Sequence, residues 1–244
     1  MKQLLTLLLG ALPLVAAADA LTVSAAASLT DAFKQIGTRF EASRPGSTVR
    51  LNIAASGVLL QQIAQGAPVD VFASADAETM DRAAAQELIA AGTRRDFARN
   101  SLVLITPSAS AVGSLADLAR AGVTRIAVGK PASVPAGRYA RQALEAARLW
   151  APLQPRLVFA DNVRQVLDYV SRGEVEAGFV YRTDAELLGD KVRIAMTVQG
   201  HAPVTYPVAV VADSRQPALA RAFVAFLGGA EAQAILARHG FGTP

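Results

Sequence analysis

Two serines stand in turns of the same design. Ser28 follows an apolar run, Val23 to Ala26, and Ser56 follows the alternating stretch Thr48 to Ala54; small residues surround each, and each opens a helical pattern. The spacing Ser28-Leu29-Thr30-Asp31 predicts an N-cap serine with a reciprocal acidic partner. A helix N-terminus presents backbone N–H groups that no helical carbonyl satisfies, together with the positive end of the helix dipole, so the chemistry on offer is anion binding. Three later positions have the same character. Pro135-Ala136-Gly137 sets up a helix start with little side-chain bulk. Asp161 is predicted to cap a helix from Asn162 to Arg172, which leaves the Val163 N–H for a ligand or for the Asp161 side chain. Tyr181 ends the apolar run Ala177 to Tyr181 and brings a hydroxyl to a strand terminus. Taken singly, each has an ordinary account: caps for the serines, first-turn residues for Ala136 and Val163, a half-buried strand-end aromatic for Tyr181.

The elements that must position these groups alternate. Strands are predicted at Val23–Ala26, 48–54, 69–73, 101–106, 125–129, 157–160, 177–181 and 205–211. Helices follow most of them, at 58–65, from Asp76 towards Ala91, 115–120 (capped by Ser114), 138–149, 162–172 and 217–238. Strand-helix alternation of this length implies a parallel sheet, in which ligands bind beyond the carboxyl ends of the strands. The pattern runs through two successive series with no flexible linker. We therefore expect an α/β protein of two lobes with crossing strands at 101–106 and 205–211 and a ligand in the cleft between them. The last helix is expected to pack back on the first lobe.

Composition narrows the function. The net charge of +4 is mild, and no basic run interleaved with aromatics points to nucleic acid. Residues 1–20 read as a secretory leader, an apolar run from Leu4 to Ala18 ending in Ala18-Asp19-Ala20, so the mature chain is expected to start at Leu21 in the periplasm. With no cysteine, stability in an oxidising compartment has to come from core burial. The chain holds two histidines, His201 and His239, far apart and expected on the surface. It has no G-x-S-x-G, no G-x-G-x-x-G and no phosphate-binding G-x-x-x-x-G-K-[ST]; Pro131 follows Gly129-Lys130 where that last motif needs a hydroxyl. Hydrolase, nucleotide and metal chemistry are disfavoured, and we expect no enzyme and no cofactor.

Seven segments together resemble one family: AAASLTDAF around Ser28, the AASG turn at Ser56, GAPVDVFASAD (66–76), VPAGRYA (134–140), DNVRQVL (161–167), VYRTDA (180–185) and YPVAVV (206–211). They are similar in order and spacing to the periplasmic molybdate-binding protein of an ABC importer. The resemblance implies a type II periplasmic binding protein fold, here with lobe 1 from residues 21–100 and 207–244 and lobe 2 from 101–206. It implies capture of molybdate, and of tungstate, for a membrane permease by a monomer. Its ligand contacts map onto Ser28, Ser56, Ala136, Val163 and Tyr181, which reach the oxygens of the anion and not the metal. Gly57 stands where many relatives have serine, and Asp161-Asn162 replaces a commoner acidic pair, so auxiliary contacts near Ser56 are in question. Arg138, Arg164 and Arg182 flank the site and are read as solvated or steering charges, with direct ligation as the alternative.

Overall fold

A computed structural model describes residues 19–244. Most of the expected leader lies outside the described residues; its last two positions extend the first strand.

The first half builds β1 (Asp19–Ala26), α1 (Thr30–Ser43), β2 (Ser47–Ala54), α2 (Ser56–Ala64), β3 (Val71–Ala73), α3 (Ala77–Ala85) and β4 (Arg95–Asn100). The chain then forms β5 (Leu102–Pro107), β6 (Ile126–Gly129), α4 (Pro135–Ala146), α5 (Trp150–Leu153), β7 (Leu157–Ala160), α6 (Val163–Ser171), β8 (Ala177–Tyr181), α7 (Arg182–Glu186) and β9 (Val192–Thr197). It ends with β10 (Val204–Val210), α8 (Pro217–Leu227) and α9 (Ala230–Arg238).

The strands form two five-stranded sheets of matching design, ordered β2-β1-β3-β10-β4 and β7-β6-β8-β5-β9. In each, three strands run parallel and the fourth, arriving from the other half of the chain, is inserted antiparallel. Both sheets are therefore mixed, where alternation alone predicts parallel ones. Parallel strands covered by helices on both faces must be apolar throughout, and β8, Ala-Gly-Phe-Val-Tyr, is buried at every residue.

The two strands expected to cross between lobes each belong wholly to one sheet. The crossings are the joints beside them, between Asn100 and Leu102 and between Thr197 and Val204. The partner strand at each joint, β4 or β9, is an edge strand with one neighbour. Its sequence is correspondingly less apolar, and for that reason neither is predicted from pattern.

The final helical segment is two helices bent by 59° at Gly228-Gly229. Both pack on α1, where Phe33, Phe40 and Phe223 meet with ring centroids 5.1–6.1 Å apart. Helix α3 stops at Ala85, short of Ala91, because the chain turns into positive φ at Glu87.

Candidate functional site

Ser28 lies in a single 3-10 turn, Ala27–Leu29, between β1 and α1. It does not cap α1: Leu29 occupies the N-cap position, and no side chain caps it. The Ser28 hydroxyl instead meets the Tyr206 hydroxyl at 3.0 Å, and Asp31, its expected reciprocal partner, pairs with Arg164 at 3.0 Å. Ser56 is the first residue of α2 after Ala55 at the N-cap, and its Oγ accepts from the Ala75 N–H at 3.0 Å. Both serines are buried because long-range partners claim their oxygens.

On the other lobe, α4 begins at Pro135 rather than Arg138, so Ala136 and its N–H fall in the first turn. Asn162, not Asp161, caps α6: its side chain accepts from the Gln165 N–H at 3.0 Å. A cap reaches the N–H three residues on, and the extended backbone at Asn162 aims its amide there. Asp161 turns outward to pair with Lys130, and Val163 becomes the first helical residue. Tyr181 is 1% exposed and its hydroxyl donates to the Ala75 carbonyl at 3.3 Å. Burial, first of all, pushes its pKa well above the ordinary tyrosine value, so it remains an O–H donor.

All five positions line one cavity between the lobes, together with Ala26, Ala27, Ala55, Ala75, Val134 and Pro135. It leaves about 10 Å³ for the centre of a water-sized sphere, room for one small compact group. Its polar groups are hydroxyls and the first-turn amides of Ser56, Ala136 and Val163, which have no helical carbonyl to bond. No charged side chain lines it.

The flanking arginines do not line the cavity, and each is held by partners in the protein. Arg138 grips Asp76 through Nε at 2.9 Å and Nη2 at 2.6 Å and reaches Thr79 at 2.6 Å, with both charged side chains almost buried. Arg164 bridges Asp184 at 2.6 Å and Asp31 at 3.0 Å, and Arg182 donates to Thr197 at 2.8 Å. Arg138–Asp76 and Arg164–Asp31 join the two lobes. A third link is made where the Gly57 N–H donates to the Ser133 carbonyl at 2.9 Å. A Cβ at position 57 would sit 2.7 Å from the Ser133 backbone; the glycine is what lets the lobes approach this closely here.

The two histidines are half-buried and away from the cavity. The His201 ring lies 5.4 Å from that of Tyr139 and bonds the Val198 and Ala202 carbonyls.

Sequence reasoning missed Ala75, which serves both Ser56 and Tyr181, and missed Tyr206 and Asp184. All three lie inside the quoted motifs GAPVDVFASAD, YPVAVV and VYRTDA, but no local signal marks any of them as a site neighbour.

Asp184 is fully buried with one oxygen unpartnered; burial raises its pKa to about 6, against the opposing pull of Arg164. The folded protein thus holds this proton more tightly than the unfolded chain, and stability is gained as pH falls through about 6. Relative to Asp184→Asn, which lacks this titration, the wild type should gain about 2 kcal/mol between about pH 7 and 4.5. Denaturant melts of both proteins across that range check it; parallel profiles would show that Asp184 does not titrate there.

Two lobes closed over a small cavity with hydroxyls at its wall and no charged side chain define a solute-binding protein. The chain belongs to the bacterial extracellular solute-binding proteins, whose family model matches residues 21–242. It is 40% identical over 228 residues to the molybdate-binding protein ModA of Escherichia coli, covering 91% of this chain and 88% of that protein. It is 36% identical to ModA of Haemophilus influenzae over 93% of this chain and 91% of the relative. Among solved structures, the Azotobacter vinelandii periplasmic molybdate-binding protein superposes with a TM-score of 0.81 at 24% identity, over 92% of this chain and 99% of that one; this likeness speaks to the fold.

Proposed function

We propose that the protein captures molybdate in the periplasm and hands it to the permease of an ABC importer, acting as a monomer without a cofactor and without catalysis. Tungstate, of the same charge and shape, is the second ligand. The leader is removed after Ala20. The observation that carries this reading is the cavity itself, small, set between the lobes, with three hydroxyls and the first-turn amides at its wall and no charged side chain. A fully ionised tetrahedral oxyanion offers only acceptors, which hydroxyl and amide groups satisfy without a buried countercharge. In this reading Ser28, Ser56 and Tyr181 give hydroxyls, and Ala136 and Val163 give N–H groups. Tyr181 exchanges its bond to the Ala75 carbonyl for one to the ligand. Hydrogen phosphate carries a proton that needs an acceptor. The ModA relatives, named for molybdate binding at 36–40% identity, support the same ligand.

Calorimetric titration with molybdate, tungstate, sulfate and phosphate tests the proposal. Molybdate and tungstate should bind tightly, and a thousandfold excess over the dissociation constant should stabilise the fold by about 4 kcal/mol. Ser56→Ala removes a hydroxyl donor to an anion and should weaken binding by roughly 10- to 150-fold, whereas Val163→Ala keeps its N–H and should change little. A wild type that binds none of the four anions, or a Val163→Ala loss equal to that of Ser56→Ala in a folded protein, would overturn the assignment.

A further inference from the structure

Tyr206 is fully buried at the back of Ser28, outside the cavity lining. Its ring is fixed edge-on against Phe97, Tyr181 and Phe241. Its hydroxyl oxygen has two polar neighbours, Ser28 Oγ at 3.0 Å and Asn100 Nδ2 at 3.4 Å. The Asn100 amide can be oriented in one way only. Its oxygen accepts from the Ser101 N–H at 2.8 Å, so its NH2 group faces Tyr206 and donates also to Thr183 Oγ1 at 2.9 Å. An amide NH2 cannot accept a hydrogen bond. The Tyr206 proton therefore has a single acceptor, Ser28 Oγ. Were Ser28 to donate to Tyr206 instead, a buried tyrosine proton would be left with no partner.

We propose that Tyr206 is a positioning residue that sets the direction of the Ser28 hydroxyl, donating to its oxygen so that the Ser28 proton is directed into the cavity. Ser56 is arranged in the same way by a different partner, since its oxygen accepts from the Ala75 N–H. Each serine thus takes a proton from the protein and offers its own to the ligand. The chain Asn100 to Tyr206 to Ser28 starts at Asn100, the last residue of β4 before the first crossing between lobes, so the donor direction at the site is tied to the joint. Burial raises the Tyr206 pKa well above the ordinary value, which keeps this proton in place.

The inference rests on the oxyanion-binding reading, and a double-mutant cycle on molybdate affinity tests it. Tyr206→Phe keeps the ring packing and frees the Ser28 hydroxyl to rotate; molybdate affinity should fall by about 5-fold. In a Ser28→Ala background no hydroxyl remains to be directed, and adding Tyr206→Phe should change affinity by less than about twofold. Melting of the four ligand-free proteins accompanies the titrations. Equal losses in both backgrounds would mean that Tyr206 acts through packing alone, and no loss in either would mean that it does not act on Ser28; both overturn the inference while leaving the proposed function standing. A wild type that fails to bind molybdate removes both.

Discussion

Replacing Arg138 with alanine is expected to weaken oxyanion binding by on the order of 100-fold and to lower the melting temperature by several degrees, although Arg138 touches no part of the cavity. The Asp76 side chain is 3% exposed and, among the described residues, Arg138 is its only close cation, held by two N–H donors. Removing one member of a buried pair leaves the other charge uncompensated, at a cost of about 3–5 kcal/mol. The pair spans the lobes, so opening would rehydrate Asp76 and the penalty falls on the closed, binding-competent arrangement. Asp76 also caps α3 through the Thr79 N–H, which makes Asp76→Asn the informative companion: it keeps the cap oxygen and drops the charge. The double variant Arg138→Ala/Asp76→Asn should regain much of what the single variant loses. Titration and thermal melts of the three proteins decide it, and an Arg138→Ala protein with unchanged affinity and melting would show that the pair does not hold the lobes together.

Gly137→Ala is expected to destabilise the fold by about 3 kcal/mol, at the upper end for an overpacked core, and to weaken anion binding as well. Alanine in a helix normally gains up to about 1 kcal/mol over glycine. Here the added Cβ would stand 1.9 Å from the carbonyl oxygen of Gly129 at the end of β6, a backbone atom that cannot swing aside. The clash outweighs the propensity. Its relief requires the start of α4 to move off the sheet, and that movement carries the Ala136 N–H away from the cavity. Denaturant melts and molybdate titration measure the two effects separately; a stabilised Gly137→Ala variant would mean that the helix and strand are less tightly apposed than described.

Much of this protein was legible in the chain because the relevant signals are short. Strands β7 and β8 are predicted to the residue, since a run of apolar residues bounded by charge or glycine needs no tertiary information. The small residues at the strand ends, Ala26-Ala27, Ala54-Ala55 and Gly129, mark places where a helix N-terminus can meet a ligand. All five predicted site positions line one cavity; for Ser56, Ala136 and Val163 the reason is local, since an unpaired first-turn N–H is a property of any helix start.

Tertiary structure decided which oxygen, amide or charge each group met. The sequence allows Ser28 to cap α1 and Asp161 to cap α6, and in the fold neither does. Ser28 is taken by Tyr206, 178 residues away, and Asp161 is drawn outward to Lys130. Arg138 reads as a solvated charge until α4 is laid against the turn after β3, where Asp76 waits 62 residues upstream. The two edge strands at the lobe crossings, and the insertion of β5 and β10 antiparallel into the sheets, depend likewise on where distant segments arrive. Periodicity, small residues and helix starts are encoded within about ten neighbouring residues, so the sequence alone determined the elements and the donor positions. Choosing between alternative partners for a buried hydroxyl or charge depends on desolvation and on which groups are brought near, and only closure of the two lobes settles both.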